Sequence, residues 1–524
     1  MKTYQWIIAS AVAMALAGCG ADEISSAGAG GPITINNPPA QNPDPGPGPD
    51  PGNGGVQPAA GCPTIANPIG LTDSGTISGP TGTYRVCDLP ARFTASSTLP
   101  RVAGLLYALH DRVDVGNDLG PAATAGEASV TLTIEPGVVV FGKAGTSWLA
   151  VNRGNKIQAV GTAERPIVFT SRDNILGLAT DDSQGQWGGV VLMGRAPITD
   201  CRTAATPGAV DCDRQTEGSA ALALYGGATV DDNSGAMSHV QIRYSGYVLG
   251  ANSELQALTL QGVGNATTID HIQMHNSSDD GFEIFGGRPH LRHIVVTGAD
   301  DDSVDLDTGY KGTLQFVIAV QKTSGAADSM IELDSANTLE AQTPRTHMKL
   351  ANFTFVHRNP ATGNQAAMLF RGGADATLVN GVVTSPMACL RLAGANILAT
   401  DPAIDKLGPP SFTSVVMSCG TTPTVDGSGV TAATALSTFE AGANNNATFS
   451  PTLTNTFVNG ANEAAAVAVD PQTIDPEFDA LTTPYVGAVR DASDTWYAGW
   501  TCNSATADFG TTSTACTSLP SLAE

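Results

Sequence analysis

The chain has 524 residues, and its 25 Lys and Arg face 49 Asp and Glu, for a formal net charge of −24. A surface this acidic disfavours nucleic acid and anionic lipid faces as partners. Only 14% of residues are charged while 59 are glycine; with many Thr and Asn, this suits an all-β secreted protein better than a helical enzyme.

In chain order, residues 1–18 read as a targeting segment. Lys2 supplies a minimal positive end, and the apolar run from Trp6 to Ala17 is too short to span a membrane as a mature helix. The run closes on Leu16-Ala17-Gly18-Cys19, which resembles the bacterial lipoprotein cleavage box. That resemblance implies cleavage before Cys19, acylation of Cys19 with palmitate among its chains, and membrane attachment through the N-terminal lipid. Each buried CH₂ of such a chain adds about 0.8 kcal/mol. Gly20 stands where an aspartate would favour the inner membrane, so the resemblance implies an outer-membrane lipoprotein of a Gram-negative bacterium, displayed on the surface or, as the alternative, facing the periplasm.

Residues 19–61 form a Pro/Gly-rich disordered tether. At about 3.1 Å per residue it would reach ~120 Å. The strict glycine triplet of collagen is absent. With Cys19 committed to lipid, the nine cysteines leave an even number. They fall into sequence-near pairs: Cys62 with Cys87, Cys201 with Cys212, Cys389 with Cys419, and Cys502 with Cys516. An oxidising compartment fits this usage, although sequence alone leaves the connectivity open. No CxxC occurs, which argues against a zinc ribbon or a thioredoxin site.

Residues 62–126 read as an N-terminal cap, with a strand at Thr83–Val86 and a short helix near Leu105–Arg112. Residues 127–420 read as a right-handed parallel β-helix, an all-β solenoid. The repeat shows in two gapless copies 22 residues apart: Ser278-Asp279-Asp280-Gly281-Phe282-Glu283-Ile284-Phe285 and Asp300-Asp301-Asp302-Ser303-Val304-Asp305-Leu306-Asp307. Period-two alternation turns Phe282, Ile284, Val304 and Leu306 inward. A third copy, Asp328 to Asp334, adds Ile331 and Leu333 inside and Glu332 and Asp334 outside. Two outward columns result, Glu283-Asp305-Glu332 and Phe285-Asp307-Asp334, beside a turn column of Asp280, Asp302 and Asp328.

Neighbouring coils lie about 4.8 Å apart, and like charges facing each other across strands are destabilising. Hard cations take carboxylate oxygens in flexible geometry. One reading therefore places calcium on Asp280, Asp302, Asp305, Asp307 and Asp328. The other is a solvated acidic stripe whose Asp and Gly serve the turns. No EF-hand loop or Gly-rich nonapeptide repeat is present. His239, His271 and His293 share one register; they read as a soft-metal ladder or, more plainly, an outward polar column. Residues 421–524 lose the pattern: 421–462 read as loops, and aromatic anchors from Tyr485 to Trp500 read as a C-terminal cap.

Gln186-Trp187-Gly188-Gly189, Asp280-Gly281-Phe282-Glu283, Gly298-Ala299-Asp300-Asp301-Asp302-Ser303 and Gly499-Trp500-Thr501 together resemble a family of bacterial surface lipoproteins. The resemblance covers most of the chain after Cys62 and implies a right-handed parallel β-helix. A looser resemblance is to polygalacturonase-like glycosidases, β-helices with aspartates on adjacent coils. It implies catalytic carboxylates at Asp279, Asp280, Asp301 and Asp302. That family's Gly-His-Gly turn and Arg-Ile-Lys stretch are absent here. A polysaccharide lyase would need a cationic base near calcium, for which Lys311, Lys322 and Arg371 are the candidates.

The expectation is a non-enzymatic β-helix that binds a glycan, a surface partner or calcium. Glu283, Phe285 and Tyr310, with Tyr244 and Tyr247, would form its ligand face, rings stacking on sugar while carboxylates accept from hydroxyls. The alternatives are a polysaccharide lyase or glycosidase working at 279–307, and a structural spacer or partner subunit of an outer-membrane transporter.

Overall fold

A computed structural model describes residues 55–522, apart from 251–252, 326, 336–337, 360–365 and 521. The targeting segment, Cys19 and the tether up to residue 54 lie outside the described residues.

The chain winds into a parallel β-helix. The 22-residue offset is the coil itself: Phe282 pairs with Val304, Glu283 with Asp305, Ile284 with Leu306 and Phe285 with Asp307. The next coil continues the ladder, with Asp305 opposite Glu332 and Leu306 opposite Leu333. Phe282, Ile284, Val304 and Leu306 point inward and are buried in one continuous core. The ladder holds because inward residues of successive coils fall in register, so each coil covers the apolar rim of the one before.

Each central coil has three faces. The first is a parallel sheet running from Arg92–Phe93 through Leu258–Gln261, Phe282–Phe285, Val304–Asp307 and Ile331–Leu333 to Thr424–Val425. The other two share long strands such as Thr268–His275, His290–Thr297 and Thr313–Val320. Each of these bends at a single left-handed residue: His271, His293 and Phe316, with Asn352 and Asn380 on later coils. The ladder skips those residues, and Asp270–Arg292 and Ile272–Ile294 pair on either side of the bend. Asparagine tolerates this conformation well, and other L-residues adopt it at a cost.

Two local expectations are corrected. The run at Leu105–Arg112 is two strands, Leu105–Leu109 and Arg112–Val115, not a helix. Leu105, Tyr107 and Leu109 enter the central core, while Leu106 and Ala108 pack outward against Val139 and Leu519. A strand buried on both faces reads as an unbroken apolar run, which periodicity cannot tell from a helix. Parallel pairing therefore already starts at Arg85–Asp88 with Leu105–Ala108. In the segment read as loops, Ala432–Glu440 is an α-helix, N-capped by the Thr431 side chain. Ala435 and Phe439, one turn apart, close the C-terminal end of the core, with Phe439 5.2 Å from Phe412.

The remaining chain folds back along the third face. Phe457, Val489 and Trp500 cover Val295, Ile318 and Val320, and Leu519 and Leu522 reach Tyr84 and Val86. All four sequence-near cysteine pairs are bonded, with Cα separations of 5.7, 4.8, 5.5 and 4.9 Å.

Candidate functional site

The first face changes character along its length. Its earlier coils carry Trp148, Val191, Met193 and Phe285 outward, and a cover closes over them. The cover runs between Met193 and Gly235 and is tied by Cys201–Cys212. Ile198, Tyr225 and Leu255 press on the apolar part. The Thr199 amide donates to the Thr308 carbonyl at 2.9 Å, and the Gly287 amide donates to the Pro197 carbonyl at 2.8 Å.

The later coils carry the acidic columns, and these are not solvated. Glu283 and Asp305 are each 4% exposed and Asp307 is 0% exposed. The solvated-stripe expectation is thereby corrected, because outward from the barrel is here inward to the cover. The aromatic ligand face is corrected for the same reason. Phe285 lies 6.2 Å from Tyr225 of the cover. Tyr310 and Tyr244 are fully buried, Tyr310 in the central core, and Tyr247 is half-buried.

The turn column of Asp280, Asp302 and Asp328 climbs and does not converge. Asp280 Oδ1 accepts from the Asp302 amide at 2.9 Å, and Asp302 Oδ1 accepts from the Ser329 amide at 2.6 Å. These carboxylates stitch each turn to the next, a structural use of one oxygen each.

Two groups do converge. Carboxylate oxygens of Asp279, Asp280 and Asp301 lie within 4.8 Å of one another, as do those of Asp280, Glu283 and Asp305. They line a small cavity of about 20 Å³ with Glu217, Glu254 and Gln256, room for one water-sized occupant. Gln256 Nε2 donates to Asp279 Oδ2 at 3.1 Å. Asp305 Oδ1 and both oxygens of Asp307 have no hydrogen-bond partner among the described residues.

Arg371 lies on the far side of the cluster. Its Nη2 is 2.5 Å from Glu332 and its Nε 2.8 Å from Asp334. Burial opposes its charge, but these carboxylates outweigh burial and raise its pKa.

Burial pushes the carboxyl pKa values up throughout, and neighbouring carboxylates add to it. Asp280, Glu283, Asp302, Asp305 and Asp307 are all held well above the ordinary range. Asp279 rises to about 6 and Glu254 to about 7. Such a cluster binds either protons or cations. The oxygen-only donor set and flexible spacing fit calcium, whose ligands lie at about 2.3–2.6 Å. Asp280, Glu283 and Asp305 would hold it, with Asp279 and Asp301 beside them. Asp302, Asp307 and Asp328 fall outside both converging groups.

The cover residue Glu217 and the loop residue Glu254 had escaped the sequence reading. Both sit in insertions between coils, where no period marks them.

The family model for the pectate-lyase-like beta helix domain matches residues 121–501, more than half of the chain. No curated protein and no solved structure matches it.

Proposed function

From a chain that belongs to the pectate-lyase-like β-helix family, we propose a carbohydrate-binding protein that engages acidic polysaccharide through calcium held on its first face. The observation that carries this reading is Asp305, buried at the cavity with an oxygen left without a partner. A chain of net charge −24 repels a polyuronate, so a bridging cation supplies the attraction. Stacking of neutral sugar has little to work with, since Phe285, Tyr244 and Tyr310 are buried. The half-buried Glu217, Glu254, Asp279 and Asp301 set the mouth through which a bound ion would meet a sugar carboxylate.

Display from an outer-membrane lipid on Cys19, across the 19–61 tether, is part of the same proposal. Labelled fatty acid should enter the wild-type protein and not Cys19→Ala.

Equilibrium binding of a galacturonate homopolymer to the full chain tests the sugar reading. We expect binding with calcium that EDTA removes and that Asp305→Asn weakens at least tenfold. Binding unchanged by EDTA, or absent with calcium, overturns it.

One observation favours a second reading, hydrolysis. Asp279 and Glu254, raised to about 6 and about 7 at the mouth, lie in the range of a general acid. New reducing ends from the same polymer, lost in Asp279→Asn, would favour it. Elimination is the weaker enzymatic route, because Arg371 is held charged between Glu332 and Asp334 and makes a poor base.

A further inference from the structure

We infer that the side chains of Lys406 and Asn396 join in an amide cross-link that the chain forms by itself, with Glu340 carrying the proton. The inference does not depend on the calcium reading above.

A lysine is seldom buried without a charged partner. Two are buried among the described residues, Lys322 at 6% and Lys406 at 2% exposed. Lys322 is paired with Asp300, 3.2 Å away. Lys406 makes no ion pair among the described residues; its Nζ donates to a neutral group, Asn396 Oδ1. Burial, then the neighbouring Arg345, lowers the Lys406 pKa, which favours the neutral and nucleophilic amine.

The third member stands on the other side of the amide. Asn396 Nδ2 donates to Glu340 Oε2 at 2.6 Å. The amide thus has an amine at its oxygen and a carboxylate at its nitrogen. A carbonyl oxygen lies about 1.2 Å from its carbon, so an amine bonded to Oδ1 is also close to Cγ. The backbone fixes all three residues. Asn396 lies in the short helix Ala395–Leu398, whose Ile397 enters the core. The Lys406 amide and carbonyl each bond to Asp401 at 3.0 Å. The Leu407 and Gly408 amides donate to Asp375 Oδ1, and Arg345 donates to the Glu340 carbonyl.

The step balances. The Nζ lone pair attacks Asn396 Cγ; the Cγ–Nζ bond forms and the Cγ–Nδ2 bond breaks. Glu340 takes a proton from Nζ and passes it to the departing Nδ2. One ammonia leaves, Glu340 ends as it began, and nothing is oxidised or reduced. Holding the amine against the amide makes the attack unimolecular, and escape of ammonia draws it forward. The product closes the 396–406 loop between strands Ala388–Leu392 and Ser411–Thr413. A second lysine and amide make the contrast. Lys322 donates to Gln184 Oε1 and Gln184 Nε2 to Asp300 Oδ2. There the carboxylate is ion-paired to the amine itself, and an ammonium has no lone pair to attack with.

Mass spectrometry of the full chain, reduced, denatured and digested with trypsin, is the test. We expect the segment holding both residues to be lighter by one ammonia, uncut after Lys406, and inert there to amine acylation. Closure of Asn396 onto its own backbone also loses ammonia but leaves Lys406 cleavable and reactive; that result overturns the inference. An unmodified mass overturns it as well, and so does a loss mapped to Lys322 and Gln184. Because the wild type is read directly, no variant need fold for the inference to fail. Glu340→Gln can still accept from Asn396 and should carry a free Lys406. A complete cross-link in that variant overturns the role given to Glu340.

Discussion

Two ladders of like residues run up this solenoid, and they are closed in different ways. At the left-handed corner the rings of His239, His271 and His293 stack at 4.4 and 4.3 Å. Phe316 continues the stack at 4.8 Å, and Trp496 and Trp500 close on it from the C-terminal strap. Asp270 Oδ1 lies 3.0 and 2.8 Å from Nδ1 of His271 and His293. The Asp270, His271 and His293 ligand atoms lie within 4.8 Å of one another, but here the carboxylate itself meets the ring nitrogens. Packing completes this ladder. On the first face, Glu283, Asp305 and Glu332 stand in the same one-per-coil arrangement, but the cluster holds far more carboxylates than nearby cations. Repetition alone therefore carries no functional meaning in a solenoid. The imbalance left after packing and pairing does.

The sharpest break between the two ladders is their response to calcium. At a hundredfold excess over Kd, an ion that binds only the folded state contributes about 2.7 kcal/mol. Unfolding followed with calcium and with EDTA measures it. An unchanged melting temperature would make the acidic ladder as inert as the histidine one.

Asp305→Asn sharpens the contrast further. It should forfeit the stabilisation of the bound ion, about 2.7 kcal/mol under the same conditions. Without calcium, the variant should be more stable than the wild type at neutral pH, because one of two facing buried charges is gone. The stability order of the two proteins thus reverses with calcium, and no histidine variant should do the same.

The carboxyls of the first face and the buried imidazoles of the chain also oppose each other in pH. The wall's carboxyls have raised pKa values when folded, so the calcium-free fold gains from protons there. That stability is present at low pH and is lost as pH climbs from about 4 through about 6 for Asp279 and about 7 for Glu254. The imidazoles run the other way. His275 is lowered to about 3 by burial, then by Arg243 and Lys322, and burial lowers His239 as well. Their contribution is complete above about pH 6.5 and is lost as pH falls below it. A fully buried histidine such as His275 costs about 1.4 kcal/mol per pH unit there. Melting temperature against pH should give a dome without calcium. Added calcium should lift its alkaline side and leave its acid side in place.

The difference between the regions also marks what could be read from residues alone. The pairing Glu283–Asp305 was legible because consecutive coils carry no insertion, so the offset in sequence equals the turn of the helix. The shared histidine register was legible for the same reason. What covers each column was not. The 194–234 insertion has no period, and only its tertiary contacts turn the columns from a stripe in water into a buried cluster. Outward is not exposed wherever the insertion closes over the sheet, which is why Phe285 is buried against Tyr225. Leu105–Leu109 failed by the same route, since the strap buries its outer side. The helix Ala432–Glu440 was missed in an Ala/Thr-rich stretch where only Thr431, Ala435 and Phe439 signal it.

The smallest expected effect concerns the corner itself. His271 has φ 53°, and the same column holds Asn352 at 51° and Asn380 at 55°. Asparagine enters this conformation more readily than other residues with a Cβ, whereas alanine meets the ordinary penalty of about 1–2 kcal/mol. Both His271→Asn and His271→Ala lose ring contacts with Trp500, Trp496 and the neighbouring histidines. The two variants should therefore differ by about 1 kcal/mol in favour of asparagine, through backbone preference alone. Both should keep the full calcium response, because the residue lies on a different corner from the first face. Equal stability would mean that the ring stack, not the bend, sets the residue at this corner. A calcium response lost in either variant would tie the two ladders together and remove the distinction drawn between them.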